Sequence, residues 1–240
     1  MTAPDFPRPS EDASIPLEKV STTKSMATAV RHTYAIAPVT VVVTGLTVAV
    51  WLVHLALAHF GHVNTDLTLG DNGSALHGDW WRLVTPMVVH FGILHIGLNM
   101  LVLWRLGPPV EQVVGSRLYL AAYVLSGIGG QVASDLTMGP NVLSGGASGA
   151  IYGIIGVLIG YYVAGRVAAN AGRVATSGWA FNPSAVKSLA IQAGLWLVVG
   201  GAVAHVDSAA HAGGAVVGLV IGAGVAWSRT IPAEPSTRRG

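Results

Sequence analysis

The chain has 240 residues, of which 52% are hydrophobic and only 10% charged, with a net charge of +2 and no cysteine. A soluble domain carries about 25% charged residues, so this composition excludes an ordinary cytosolic globule, a disordered chain and a nucleic-acid binder. It also excludes disulfides, thiolate metal sites and a cysteine nucleophile.

What remains is an all-α polytopic membrane protein, in keeping with a mean hydropathy of +0.58. At roughly 20 apolar residues per span, a chain of this length holds about six. Residues 1–36 are polar, with Pro4, Pro7, Pro9 and Pro16. They read as a disordered cytoplasmic tail, and with no apolar stretch behind the charges they are not a cleaved signal peptide. Ala37 to His59 is the first span. Phe60 to Pro86 is a loop carrying Asp66, Asp71 and Asp79, then Trp80-Trp81-Arg82, a Trp pair suited to the membrane interface. The second span is expected over Met87–Leu106, ending before Gly107-Pro108-Pro109, and the third over Leu118–Leu136. After a Gly/Pro/Asn/Ser loop come the fourth, Ser148–Ala164, and the polar loop Arg166–Lys187. The fifth covers Ser188–Val206 and the sixth Ser208–Trp227, with His205 and Asp207 decorating the turn between them. The bundle thus occupies residues 37–229, and residues 230–240 form a short polar tail.

Orientation follows from the basic residues. With both termini cytoplasmic, Arg82 alone of the 13 lysines and arginines falls on the outer side. Positive residues favour the cytoplasmic side, which supports six spans with N- and C-termini inside.

In this topology spans two, four and six all begin at the outer face, and each places polar groups near its start. They are His90, His95 and Asn99; Ser148 within Gly146-Ala147-Ser148-Gly149; and His211. Ionisable groups at membrane depth face a protein interior or a wet cavity. Taken singly, each has a plain structural explanation. Ser148 could cap a helix, His211 could bond a carbonyl, and His95 and Asn99 could join helices by polar contact. Their coincidence on three helices is the functional signal. Gly214 and Gly218 allow close approach of a neighbouring helix. If that neighbour is span four, with Gly149 and Gly153, His211 comes within reach of Ser148. A Ser–His pair is a minimal activated nucleophile. No Asp is placed to orient the histidine, and Tyr152, one turn below Ser148, could hold the imidazole by packing.

These blocks resemble the rhomboid intramembrane serine proteases. The resemblance rests on Trp81-Arg82, on His90-Phe91-Gly92-Ile93-Leu94-His95-Ile96-Gly97-Leu98-Asn99, on Gly146-Ala147-Ser148-Gly149 with Tyr152, and on Ala210-His211 with Gly214 and Gly218. It covers roughly Trp80 to Trp227 and implies the compact bacterial six-span form. It implies Ser148 as nucleophile and His211 as general base. His95, Asn99 and the Ser148 backbone N–H would form the oxyanion hole. Tyr152 would stack on the histidine, and Gly146 would make the tight turn before the nucleophile, with Gly149 and His90 in support. Trp81, Arg82 and Glu111 would be structural. The implied substrates are single-span membrane proteins that enter sideways from the lipid near span five, whose Gly194, Gly200 and Gly201 suggest loose packing. They would be cut near the outer end of the span, with no cofactor and no metal, in the bacterial inner membrane.

Three other readings compete. A metal site of His90, His95 and His211 lacks the HExxH spacing. A small transporter would favour inverted repeats and broken helices. An inactive relative that escorts membrane clients should have lost the serine or the histidine.

Overall fold

The computed structural model describes residues 35, 37–61, 64–138, 143–175, 183–202 and 206–232. The polar N-terminal segment and His205 lie outside the described residues. Among the described residues six long helices make up the body: α1 (Pro38–Phe60), α2 (Ile93–Val114), α3 (Ser116–Met138), α4 (Ser148–Asn170), α5 (Pro183–Ala202) and α6 (Ser208–Ser228). Among the described residues four are both long and apolar enough to cross a membrane: α1, α2, α4 and α6. The protein is therefore an integral, multi-pass membrane protein.

α1 begins on Pro38, whose missing N–H has no partner to lose in a first helical turn. Of its residues only Thr40 and Thr47 are buried, while Val42, Leu46, Leu52 and Val53 are exposed along its length. What anchors this peripheral helix is a carboxylate from α2. Glu111 accepts the Val39 and Thr40 N–H groups at 2.9 and 2.8 Å and the Thr40 hydroxyl at 2.8 Å. Oε1, which takes the Val39 N–H, also accepts the Ser116 hydroxyl at 2.7 Å, so one buried side chain joins the starts of α1 and α3 to α2. Hydrogen bonds to a charged group contribute about 1.5–3 kcal/mol each. Glu111→Ala is expected to lower the unfolding midpoint in detergent by several degrees. Glu111→Gln, which keeps one acceptor, should fall between it and the parent.

Between α1 and α2 the chain makes one helical turn (Asp66–Leu69) and three short 3-10 turns (Ala75–His77, Trp80–Leu83, Thr85–Val88). Arg82 sits at their centre. It donates to Gly70 O, to Leu67 O at 3.0 Å and to Asp79 Oδ2 at 3.1 Å. The guanidinium thus replaces the missing backbone partners of an irregular loop, while Trp80 and Trp81 remain exposed beside it.

α2 starts six residues later and ends eight residues later than the sequence suggests. Pro108 and Pro109 lie inside it rather than past its end. Proline removes a backbone donor and normally breaks a helix. Here the pair falls in the last two turns, and Gln112 Nε2 donates to the Pro108 carbonyl at 3.1 Å. The stop comes instead at Gly115, where φ is +88° and the chain turns directly into α3.

α4 is the most buried of the four apolar helices, and Ile151, Ile154, Val157 and Leu158 join Leu103, Val110, Tyr119 and Tyr123 in the core. It packs against α6 along glycines. A Cβ on Gly214 would fall on the Gly149 carbonyl, one on Gly218 on the Gly153 carbonyl, and one on Gly222 on the Val157 carbonyl. With little hydrophobic drive between helices in lipid, this backbone contact supplies van der Waals packing. The fit sets two helix starts side by side. α5 is held more loosely: a groove of about 380 Å³ lies between it and α4, lined by Ile159, Tyr162, Val186 and Lys187.

At the end away from Ser148 the chain does not simply trail off after α6. Arg173–Ala175 pairs antiparallel with Thr230–Pro232, so the expected loop and the expected tail share a two-stranded ribbon, β1 and β2. Arg173 donates to Thr230 Oγ1 at 2.8 Å and Thr230 O at 2.6 Å, and its guanidinium lies 4.8 Å from the Trp227 ring centre. Arg229 donates to the Val113 and Val114 carbonyls at 2.5 and 3.2 Å, closing the C-terminus of α2. Among the described residues the regular structure is all-helical apart from this ribbon and one isolated bridge, Asp71 with Ser144.

Candidate active site

Ser148 is the first residue of α4, and the segment before it is fixed at three points. Ser144 exchanges both backbone hydrogen bonds with Asp71, at 2.6 and 2.9 Å. The Gly146 N–H donates to Pro86 O at 2.8 Å, and the Ala147 N–H to His90 Nε2 at 3.3 Å. Gly146 has φ +132°, and a Cβ there would sit 2.7 Å from His95 Nε2. Glycine is thus required both by the turn and by the approach of His95. By accepting at Nε2, buried His90 serves the loop as a neutral imidazole.

Asp71 is itself buried in the loop between α1 and α2 and accepts from Gln131 Nε2 at 3.2 Å. Burial, with the Asp135 carboxyl beside it, pushes Asp71 up to about 7. Near neutral pH the tie between loop and α3 therefore holds a carboxyl that keeps much of its proton.

His211 lies in the first turn of α6, buried, with Nε2 2.8 Å from Ser148 Oγ. Its ring stacks on Tyr152 with centroids 4.3 Å apart and planes at 12°. The Tyr152 hydroxyl reaches α5, donating to Ala193 O at 3.4 Å. His211 Nδ1 is buried with no hydrogen-bond partner among the described residues. The pair is consequently a dyad, the serine hydroxyl against one ring nitrogen.

His95 stands beside Gly146, its ring centre 4.9 Å from that of His90 and 6.0 Å from that of Phe91. Asn99, one turn along the same helix, is buried and donates one amide hydrogen to His95 O at 2.9 Å. The other has no partner among the described residues. The bond from Ile151 N–H to Ala147 O, at 2.9 Å, opens the ladder of α4. The N–H groups of Ser148, Gly149 and Ala150 therefore lack intrahelical acceptors. A serine hydroxyl bonded to an imidazole nitrogen beside helix-start donors is an arrangement suited to nucleophilic attack on a carbonyl and stabilisation of the resulting oxyanion.

The structure gathers Ser148, His211, Tyr152, Gly146, His95, Asn99 and His90 at one end of the bundle. Glu111 lies at the other end, and Arg82 with Trp81 lies in the loop between α1 and α2. His90, His95 and His211 are not part of any group suited to hold a metal among the described residues. Asp207 has a larger place than the sequence reading allows. It caps α6, its Oδ1 accepting from Ala210 N at 2.8 Å. Its signal was legible, since an Asp directly before an apolar helical run is a favoured N-cap.

Comparison with known proteins bears on the same residues. A family profile for the Rhomboid domain matches residues 77–228. The chain is 43% identical over 108 residues to the rhomboid protease GluP of Bacillus subtilis, a match covering 43% of this chain and 20% of GluP. It is 29% identical over 202 residues to the rhomboid protease GlpG of Pectobacterium atrosepticum, covering 81% of this chain and 65% of GlpG. It is 32% identical over 161 residues to the rhomboid protease AarA of Providencia stuartii, covering 61% and 56%. The chain thus spans only part of the length of each of these relatives. The domain match takes in α2, α3, α4, α5 and α6 with the loop that holds Arg82, and on that match the chain belongs to the rhomboid family.

Proposed function

We propose that this protein is an intramembrane serine endopeptidase that cleaves single-span membrane proteins within or beside their membrane segment. The observation that carries this reading is the 2.8 Å contact between Ser148 Oγ and His211 Nε2, made between two helix starts inside a membrane protein. The named proteases among its relatives support it.

The proposed topology is six spans, α1 to α6, with both termini cytoplasmic and the dyad opening to the outer face of a bacterial inner membrane. Residues 37–229 with the β1–β2 ribbon form the catalytic unit, and residues 1–36 and those after the ribbon are cytoplasmic. A substrate helix enters sideways from the lipid past α5. It then unwinds, because a helical amide is shielded by its own hydrogen bonds.

Ser148 Oγ attacks the scissile carbonyl while His211 Nε2 takes the hydroxyl proton. Charge on the carbonyl oxygen is met by the Ser148 N–H, Asn99 and His95. Collapse of the tetrahedral intermediate breaks the C–N bond, and His211 returns the proton to the leaving amine. Water then attacks the acyl-enzyme, giving up a proton to His211, and the serine is released on protonation. Tyr152 keeps the imidazole plane fixed throughout. No cofactor or metal takes part.

The test is cleavage by the full chain reconstituted in liposomes with a single-span protein bearing a small residue near the outer end of its span. A single cut near that end is the expected result. An intact substrate in the presence of folded protein would overturn the reading and favour binding of membrane clients without cleavage. Within the same assay, Asn99→Ala is expected to lower kcat by a factor of roughly 10–100 with KM little changed. The reason is that one oxyanion donor contributes up to about 3 kcal/mol, mainly in the transition state.

A further inference from the structure

The dyad needs two side chains from separate elements to meet within a few tenths of an ångström. The glycine seam between α4 and α6 brings the helices together, but it does not by itself fix the loop that delivers Ser148. That loop contains Gly145 and Gly146, and its conformation is set from outside. One side chain ties together the two segments that carry the dyad. Asp207, four residues before His211, accepts the Ala210 N–H through Oδ1. Its Oδ2 accepts two hydroxyls at 2.6 Å, Ser144 from the serine loop and Ser134 from α3. Ser134 and Ser144 are both buried, and short hydrogen bonds to a carboxylate are the stronger kind.

We propose that Asp207 is a positioning residue for the dyad, clamping Ser144 to the start of the helix that carries His211. The proposal rests on the protease reading and adds a residue to it. Asp207 makes no bond to the imidazole, so it does not act as the third member of a triad. Its effect passes through geometry: Ser144 held to the α6 cap sets where Ser148 Oγ lies relative to Nε2. A misplacement of about 1 Å at reacting atoms costs on the order of 100-fold in rate.

The experiment uses the full chain in detergent, comparing the parent with Ser144→Ala, Asp207→Asn, Asp207→Ala and the double variant Ser144→Ala/Asp207→Ala. Three readouts are taken: the rate of labelling by a fluorophosphonate, kcat and KM for a membrane-span substrate, and the thermal unfolding midpoint. Ser144→Ala keeps the helix cap and is expected to slow labelling and kcat roughly tenfold, with KM and the unfolding midpoint near the parent. Asp207→Ala should lose on the order of 100-fold. Asp207→Asn, which keeps an acceptor for the cap, should recover part of that rate. The double variant should be no slower than Asp207→Ala alone, because both changes cut the same tie. Parental rates for Ser144→Ala, or losses that multiply in the double variant, would overturn the clamp while leaving the protease reading intact. A folded parent that neither labels nor cleaves would overturn the protease reading and the clamp with it.

Discussion

Ser148→Ala and His211→Ala are each expected to reduce proteolysis by a factor on the order of 10⁴ or more, with the unfolding midpoint close to the parent. Among the described residues the serine hydroxyl makes one hydrogen bond, to His211, and the imidazole ring stacks on Tyr152. Removing either takes out the nucleophile or its base without opening the glycine seam that joins α4 to α6. The double variant should be no worse than the single ones, since the two groups act as a unit. Cleavage assays on the reconstituted variants check this, and cleavage by Ser148→Ala at anything near the parental rate would remove the serine from the mechanism.

The second large effect is predicted far from the dyad. Gly218 faces the Gly153 backbone so closely that any Cβ would overlap it, and backbone cannot move aside as a flexible side chain would. Gly218→Leu should therefore force α4 and α6 apart at mid-bundle. The loss is expected to reach about 3 kcal/mol or more, the upper range for overpacking, with activity lost because Ser148 and His211 ride on the two separated helices. Gly224 gives the control on the same helix: it is exposed, and a Cβ there meets nothing within 4 Å. Gly224→Leu should match the parent in both unfolding midpoint and cleavage. Equal losses in the two variants would show that α6 tolerates no added bulk anywhere, and the seam would not be the cause.

How much of this was legible in the sequence depends on the kind of signal. Gly214 and Gly218 repeat at four-residue spacing, as do Gly149 and Gly153, and a small-residue repeat in an apolar helix has few uses besides close packing. From that pairing the approach of His211 to Ser148 follows, and the structure places the two at 2.8 Å. Arg82 was readable for a similar reason: an arginine in an irregular loop of a membrane protein needs carbonyl partners, and it has Gly70 and Leu67.

The end of α2 was not readable, because Pro108 and Pro109 signal a stop by local rules that tertiary contacts override here. Glu111 two residues later fastens α1 and α3, so the last turn of α2 is held from outside. The ribbon of Arg173–Ala175 with Thr230–Pro232 escaped for another reason: three residues on each side carry no periodicity to detect. In the sequence reading Asp207 only decorates a turn, although an Asp before an apolar helical run signals a cap. Its bonds to Ser134 and Ser144 were not legible, since they join positions more than 60 residues apart in sequence.

The measurement that tests the central claim most directly is labelling of the purified chain in detergent with a fluorophosphonate, read by mass spectrometry beside Ser148→Ala and His211→Ala. The account predicts label on Ser148 in the parent and none in either variant, since attack requires both the hydroxyl and the unprotonated Nε2. Label retained by Ser148→Ala, or a folded parent that takes no label and leaves a membrane-span substrate intact, would contradict it.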